Sequence, residues 1–285
     1  LLQKNKWMKL GLGLLLGIVV LGAAGSYFAM KAMGIIPNND FDTVAPAMQE
    51  FERPAMLVFS KTNGFVHTDA LVAADKMFSE LAADNGWDVY LTKNGAVHTP
   101  EQLAEFDLVV WNNVSGSVLN EQQQQALKTW ISAGGGWVGV HGSGGDPKYH
   151  WPWYVDTLIG AQFIGHTMKP QFQDADLLPG DGGGDLVSHL PPRWNVAQEE
   201  WYAFDQNPRD KGYEIVLTID EDSYSTAGET FFGGDRMEGE HPMAWRHEIG
   251  EGRAFYSSIG HTAATYEIPE YRELWRKALL WAAQN

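Results

Sequence analysis

Nine histidines and no cysteine define the chemistry open to this 285-residue chain. Without a thiol there are no disulfides, no thiolate metal sites and no cysteine nucleophile. Imidazole, carboxylate and hydroxyl groups remain. The densest stretch is GGGWVGVHGSGGDPKYHWPWY, Gly134 to Tyr154. In it an apolar run ends in His141, and regular pattern is lost at once. Gly139 and Gly142 flank that histidine. In α/β hydrolases a sharp turn after a strand, G-x-S-x-G, exposes a serine nucleophile. Here histidine takes that place and Ser143 lies two residues further on. His141 is a general base, a metal ligand, or a ring bonded to loop backbone in a tight turn.

His67, His150, His166, His241 and His261 also fall at expected strand ends or in loops, whereas His98 and His247 read as ordinary surface or strand residues. None has the i, i+4 spacing of a helical metal pair. A divalent metal would need ligands from separate loops, with Asp or Glu completing the set. Spacing alone leaves that choice open. Asp146 and Glu200 are the acids expected nearest His141. Trp151, Trp153, Tyr154, Trp201, Tyr202, Trp245 and Tyr256 gather near the same segments. Sugar rings stack on such faces while their hydroxyls need Asp, Glu, Asn and His. The competing reading is that these aromatics build the core.

The elements that must position these residues follow from periodicity. Strands are expected at Ala55–Ser60, Trp87–Thr92, Asp107–Asn113 and Trp137–Val140. Between them lie a helix from Thr68 or Asp69 to about Asp84, a short one over Thr99–Phe106, and one capped by Asn120 and stopped by Gly134. Continuously apolar strands alternating with helices predict an α/β fold, a mostly parallel sheet with helices on both faces. Ligands then bind beyond the carboxyl ends of the strands. The loops at that edge, 60–68, 112–119 and 141–152, carry Lys61, Asn63, His67, Asn112, Asn113, Ser115, His141, Ser143, Asp146 and His150. The second half is less regular, with strands expected at Tyr213–Ile219, Met243–Trp245 and Ala254–Ser258 and a closing helix over Pro269–Ala283. PGDGGGD (Pro179 to Asp185) lacks the Gly-Lys-Ser/Thr of a phosphate loop.

At the N-terminus Lys4, Lys6 and Lys9 precede an uncharged apolar run from Leu10 to Met30. At ~1.5 Å per residue it reaches roughly 30 Å, a bilayer's hydrocarbon thickness. Residues 1–33 therefore read as a signal anchor or transmembrane helix, 34–53 as a linker, and 54–285 as the folded domain. A cleaved signal peptide ending near Leu21–Ser26 is the alternative. Either reading places the domain outside the cytoplasm, periplasmic or secreted. Beyond residue 31 the chain carries 36 acidic against 16 basic residues. Such a surface repels phosphate backbones and argues against nucleic acid as a partner.

Six segments, in order, resemble the trehalose-utilization (ThuA-like) family: VFSKTNGFVHTD (from Val58), the Gly134–Tyr154 stretch, GAQFIGH (from Gly160), EEWYAF (from Glu199), HPMAWRHEIGEGRAFYSSIGHT (from His241), and a C-terminal helix ending LLWAAQ. The resemblance implies a flavodoxin-like fold related to class I glutamine amidotransferases. It places His141 at the turn where those enzymes hold a catalytic cysteine, so thioester chemistry is excluded here. It further implies sugar metabolism, with trehalose derivatives and 3-keto-glycosides as substrates. Carried over by motif, the site residues are His67, His141, Asp146, Trp153, Tyr154, His166, Glu200, Tyr202, His241 and His261. The expectation is a membrane-anchored enzyme in which His141 or His166 is the base and Asp146 or Glu200 its orienter or the general acid. The other residues bind a sugar or glycoside substrate. A sugar-binding or envelope scaffold module without turnover is the alternative.

Overall fold

Apolar strands and amphipathic helices alternate through the first half in the expected order. The computed structural model describes residues 2–52, 54–227, 229–230, 236–237 and 239–283, with residues 2–16 and 229–230 as backbone only. Helix α1 (Leu2–Ala32) comes first. Then follow β1 (Ala55–Phe59), α2 (Thr68–Asp84), β2 (Asp88–Thr92), α3 (Pro100–Leu103), β3 (Leu108–Asn112), α4 (Glu121–Ser132) and β4 (Gly136–Val140). The second half holds β5 (Phe163–Gly165), β6 (Thr167–Lys169), β7 (Gln173–Pro179), β8 (Trp194–Glu199), β9 (Ala203–Phe204) and β10 (Glu214–Ile219). It ends with β11 (Glu229–Thr230), β12 (Pro242–Ile249), β13 (Gly252–Ser257) and α5 (Pro269–Ala283).

Among the described residues the main sheet runs β2-β1-β3-β4-β13-β12-β10-β7-β8. Its first five strands pair in parallel. Their order is the 2-1-3-4-5 of flavodoxin-like sheets, with β13 as fifth strand. The other four are antiparallel. The sheet is therefore mixed rather than mostly parallel. Successive side chains of a strand face opposite ways, so β1 feeds two cores. Met56 and Val58 join Phe78 of α2 and Trp275 of α5 on one face. Leu57 and Phe59 join Leu127 and Ile131 of α4 on the other. Helix α4 starts at a capping box, Asn120 with Gln123, which satisfies first-turn amides and fixes its entry.

Two expectations about the N-terminus change. Among the described residues no helix is long and apolar enough to cross a membrane. The side chains of residues 10–16, the first part of the apolar run, lie outside the described residues. The remaining 17–30 reach only about 21 Å as a helix. Within that part Ile18, Val19, Val20, Leu21 and Phe28 are exposed. Residues 34–52 form no regular element, yet they dock on the domain. Asp42 bonds Lys61 Nζ at 2.6 Å and the Gly95 amide at 2.8 Å. Its carbonyl accepts from Gln123 Nε2, and Phe51 packs against Tyr90 and Phe106.

Candidate functional site

The site forms at the carboxyl ends of β1, β3, β4 and β13. Its pivot is His141, the residue after β4, whose φ of 42° lies in the left-handed region. A non-glycine residue there is strained, and neighbours hold it. The His141 carbonyl accepts from Tyr256 Oη at 2.8 Å, and the Gly142 amide donates to Asn113 Oδ1. Ser143 donates from Oγ to the Trp111 carbonyl and accepts the Val114 amide, so this hydroxyl is a brace. The glycines that follow make room for rings. A Cβ on Gly144 would sit 2.3 Å from Tyr256, and one on Gly145 2.6 Å from Tyr202.

His141 is fully buried. Its Nδ1 lies 2.7 Å from the Ser258 carbonyl. A carbonyl only accepts, so Nδ1 carries the proton and Nε2 the lone pair. Around that lone pair stand Tyr202 Oη at 2.9 Å, His261 Nδ1 at 3.2 Å and Glu200 Oε2 at 3.5 Å. His261 Nδ1 and Glu200 Oε2 are 2.9 Å apart. His67 follows β1 at the start of α2 and does not use its side chain as a cap. Its Nε2 faces Tyr202 Oη at 3.5 Å, while its buried Nδ1 has no partner among the described residues.

Ligand atoms of His67, His141, Glu200 and His261 all lie within 4.8 Å of one another. The three distances among His141, His261 and Glu200 define a point about 1.9 Å from each atom, against ~2.0–2.2 Å for N and O ligands of zinc-like ions. His141, His261 and Glu200 would hold a cation of that kind. Three imidazoles and one carboxylate suit a first-row divalent transition ion rather than calcium or magnesium. The Ser258 carbonyl supplies the outer hydrogen bond that such a ligand uses to fix its ring.

Protonation follows position. Burial, aided by repulsion from His261, depresses His67 to about 3. Burial, with His67 and His261 beside it, holds His141 well below the ordinary imidazole value. Burial works against a charged His261, but the Glu200 hydrogen bond and charge outweigh it and raise its pKa. For Glu200 burial pushes upward, while His261, His166 and the Gln171 bond prevail and lower it. Glu200 is thus ionised, with His166 Nδ1 at 3.2 Å and Gln171 Nε2 at 2.6 Å from Oε1.

A cavity of about 390 Å³ opens over the cluster, and His67, Asp146, His166, Glu200, Tyr202 and His261 border it. His141 does not border the cavity; it lies buried, with Nε2 turned towards Tyr202, His261 and Glu200. Asp146 does not orient His141. Its Oδ2 accepts the Gly116 amide at 2.6 Å, and burial raises its pKa to about 7. His166 Nδ1 also faces the Thr167 carbonyl at 2.9 Å. In the neutral ring this leaves Nε2 as the acceptor.

Three expected binding residues lie elsewhere. Tyr154 is buried, stacks on Trp111 at 5.0 Å and bonds the Ser143 carbonyl. Trp153 packs on Trp151 and under Lys128. Both belong to the scaffold because stacked rings there fill the core beside β3. His241 fastens Tyr202 from behind, with Nε2 2.7 Å from the Tyr202 carbonyl and Nδ1 2.9 Å from Glu221. Conversely, Gln171 and Glu199 were not expected in the site. Fully buried Glu199 accepts the amides of Glu200 and His261 and the Thr265 hydroxyl, so it holds the loop that carries His261. The signal was the Glu199–Glu200 pair at a strand end, where neighbouring side chains point opposite ways.

A family model described as "Trehalose utilisation" (ThuA) matches residues 55–282. No curated protein matches the sequence. A ThuA-like protein from Bacteroides uniformis superposes with a TM-score of 0.69 at 22% identity, covering 84% of this chain and 95% of that one. One from Parabacteroides merdae superposes with a TM-score of 0.61 at 17% identity, covering 81% and 91%. At these identities the likeness shows the fold.

Proposed function

From its membership of the ThuA (trehalose utilisation) family, to which the chain belongs, we propose that the cavity cleaves oxidised glycosides by proton transfer beside a bound divalent cation. The observation that carries this reading is the convergence of His67, His141, His261 and Glu200 within 4.8 Å under a cavity. A cation held there would supply Lewis-acid polarisation of a carbonyl. A carbonyl acidifies its neighbouring C–H. His166 takes that proton on Nε2, steadied through Nδ1 by Glu200 and the Thr167 carbonyl. The electron pair left behind forms a C=C bond as the glycosidic C–O bond breaks. Asp146, with a pKa near 7 on the cavity wall, gives its proton to the departing oxygen. Water added across the double bond completes cleavage. Tyr202 stacks on His141 and so orients that ring beneath the cavity.

The N-terminal segment is retained as a membrane anchor in this proposal. Lys4, Lys6 and Lys9 precede its apolar run, and the exposed side chains of residues 18–21 find no cover on the domain. The domain then works outside the cytoplasm. The test is incubation with 3-keto-trehalose, other 3-keto-glycosides and their unoxidised parents, with divalent ions and with chelator. Release of sugar from the keto forms, abolished by chelator, is expected. Binding of parents and keto forms alike, with no release, would leave a sugar-binding module.

A further inference from the structure

The lining of the cavity is of two kinds. His67, His166, His261, Glu200 and Tyr202 belong to the cluster or touch it, and Met33, Phe65, Pro147, Phe163 and Met168 supply much of the rest. Phe65 is 55% exposed, with its ring edge 4.8 Å from His67. The Phe163 ring lies 4.6 Å from Tyr202. Away from the cluster, Asp146 and Gln171 are the described side chains on this wall that can bond a hydroxyl. Both are already engaged, Asp146 by the Gly116 amide and Gln171 by Glu200. None of the described tryptophan side chains borders the cavity.

A disaccharide would place a second ring against this wall. Its hydroxyls would leave water to face carbon, and each unmade hydrogen bond weakens binding. A ring without hydroxyls escapes that cost and gains from leaving water. We propose that this site takes glycosides of a single sugar with an apolar, aromatic aglycone, the sugar towards the histidines and the aglycone against Phe65, Phe163 and Met168. This rests on the reading of the site as a glycoside site and narrows its substrate class.

Titration calorimetry on the full chain with phenyl β-D-glucopyranoside and with trehalose tests the assignment, with 3-keto forms of both followed for turnover. Phenyl glucoside is expected to bind at least about tenfold more tightly. Phe65→Ala and Met168→Ala, separately, should reduce that ratio, and half-exposed Phe65 can be cut back without opening the core. Trehalose binding as tightly as phenyl glucoside, or a ratio unmoved in both variants, overturns the proposal. The arms separate it from the catalytic reading. Turnover of both keto forms without preference sinks the aglycone assignment alone. Preference without turnover sinks the reaction alone. Failure of both glycosides to bind overturns both.

Discussion

Cation binding at the cluster should release about one proton, not three. His67, depressed to about 3, and His141, held well below its ordinary value, are neutral at pH 7 and have no proton to lose. His261, raised by Glu200, is the ligand that must shed one. Below the His261 pKa the affinity should therefore weaken about tenfold per pH unit, the slope of a single coupled proton. At a free cation concentration of 100 Kd the folded state gains about 2.7 kcal/mol. For a domain of this size that raises Tm by about 5–10 °C. Glu200→Gln keeps the shape and removes the charged ligand. Losing a partner of a ligand already costs 10–100-fold in affinity, so losing the ligand itself should cost at least about 100-fold. At the same cation concentration the stabilisation then falls to about 0.4 kcal/mol and the Tm shift to 1–2 °C. The assays are thermal unfolding followed by circular dichroism with zinc, manganese, cobalt and nickel against chelator, and calorimetry in buffers of different ionisation enthalpy. No shift with any ion, an undiminished shift in Glu200→Gln, or release of two or three protons would refute the reasoning.

Asp146→Asn should stabilise the protein above pH 7. Burial raises the folded-state pKa to about 7 from 3.8, so the wild type is favoured by protonation and loses stability as pH climbs from 3.8 through 7. The variant escapes a cost on the order of a few kcal/mol, visible in urea unfolding at pH 8 and absent at pH 4. Glu199→Ala leaves buried donors of the 260–265 loop unpaired and should cost about 3 kcal/mol or more in urea midpoints. The cation-induced Tm shift should vanish with it. Gly144→Ala drives a Cβ into Tyr256 and should cost at least about 2 kcal/mol. Trp153→Ala, outside the cavity, should leave cation and glycoside affinity within about twofold of wild type.

The parallel half of the fold was legible because β1, β3 and β4 are buried along their whole length and read as largely apolar runs. Helix α5 began and ended where its periodicity placed it. Strands β7 and β8 escaped notice. Gln173-Asp-Ala-Asp and Trp194-Asn-Val-Ala-Gln bury alternate residues only, and Asp, Asn and Gln are poor strand formers. Of the site, the histidines at strand ends were visible, since β1 and β4 run parallel and end at the same edge of the sheet. Their division of labour was not. Burial separates His141 in the floor from His166 at the cavity, and burial depends on Phe163 and Tyr202 arriving from the second half. The Trp151–Tyr154 run looked like a sugar platform because three large aromatics and a proline together are costly to hide. Trp111 and Tyr149 supply the stacking partners that hide part of it.

The grip on Asp42 acts as a mechanical clamp. Met33, on the cavity rim, lies nine residues before it, and nine extended residues reach at most about 32 Å. Tension arriving through α1 would reach Lys61 and Gly95 only after the Ile35–His150 and Asp40–Asn63 bonds had given way. The segment on the pulled side includes Met33 and Ile35, the latter held at its carbonyl by His150. Force would thus widen the mouth of the cavity before it disturbed the floor.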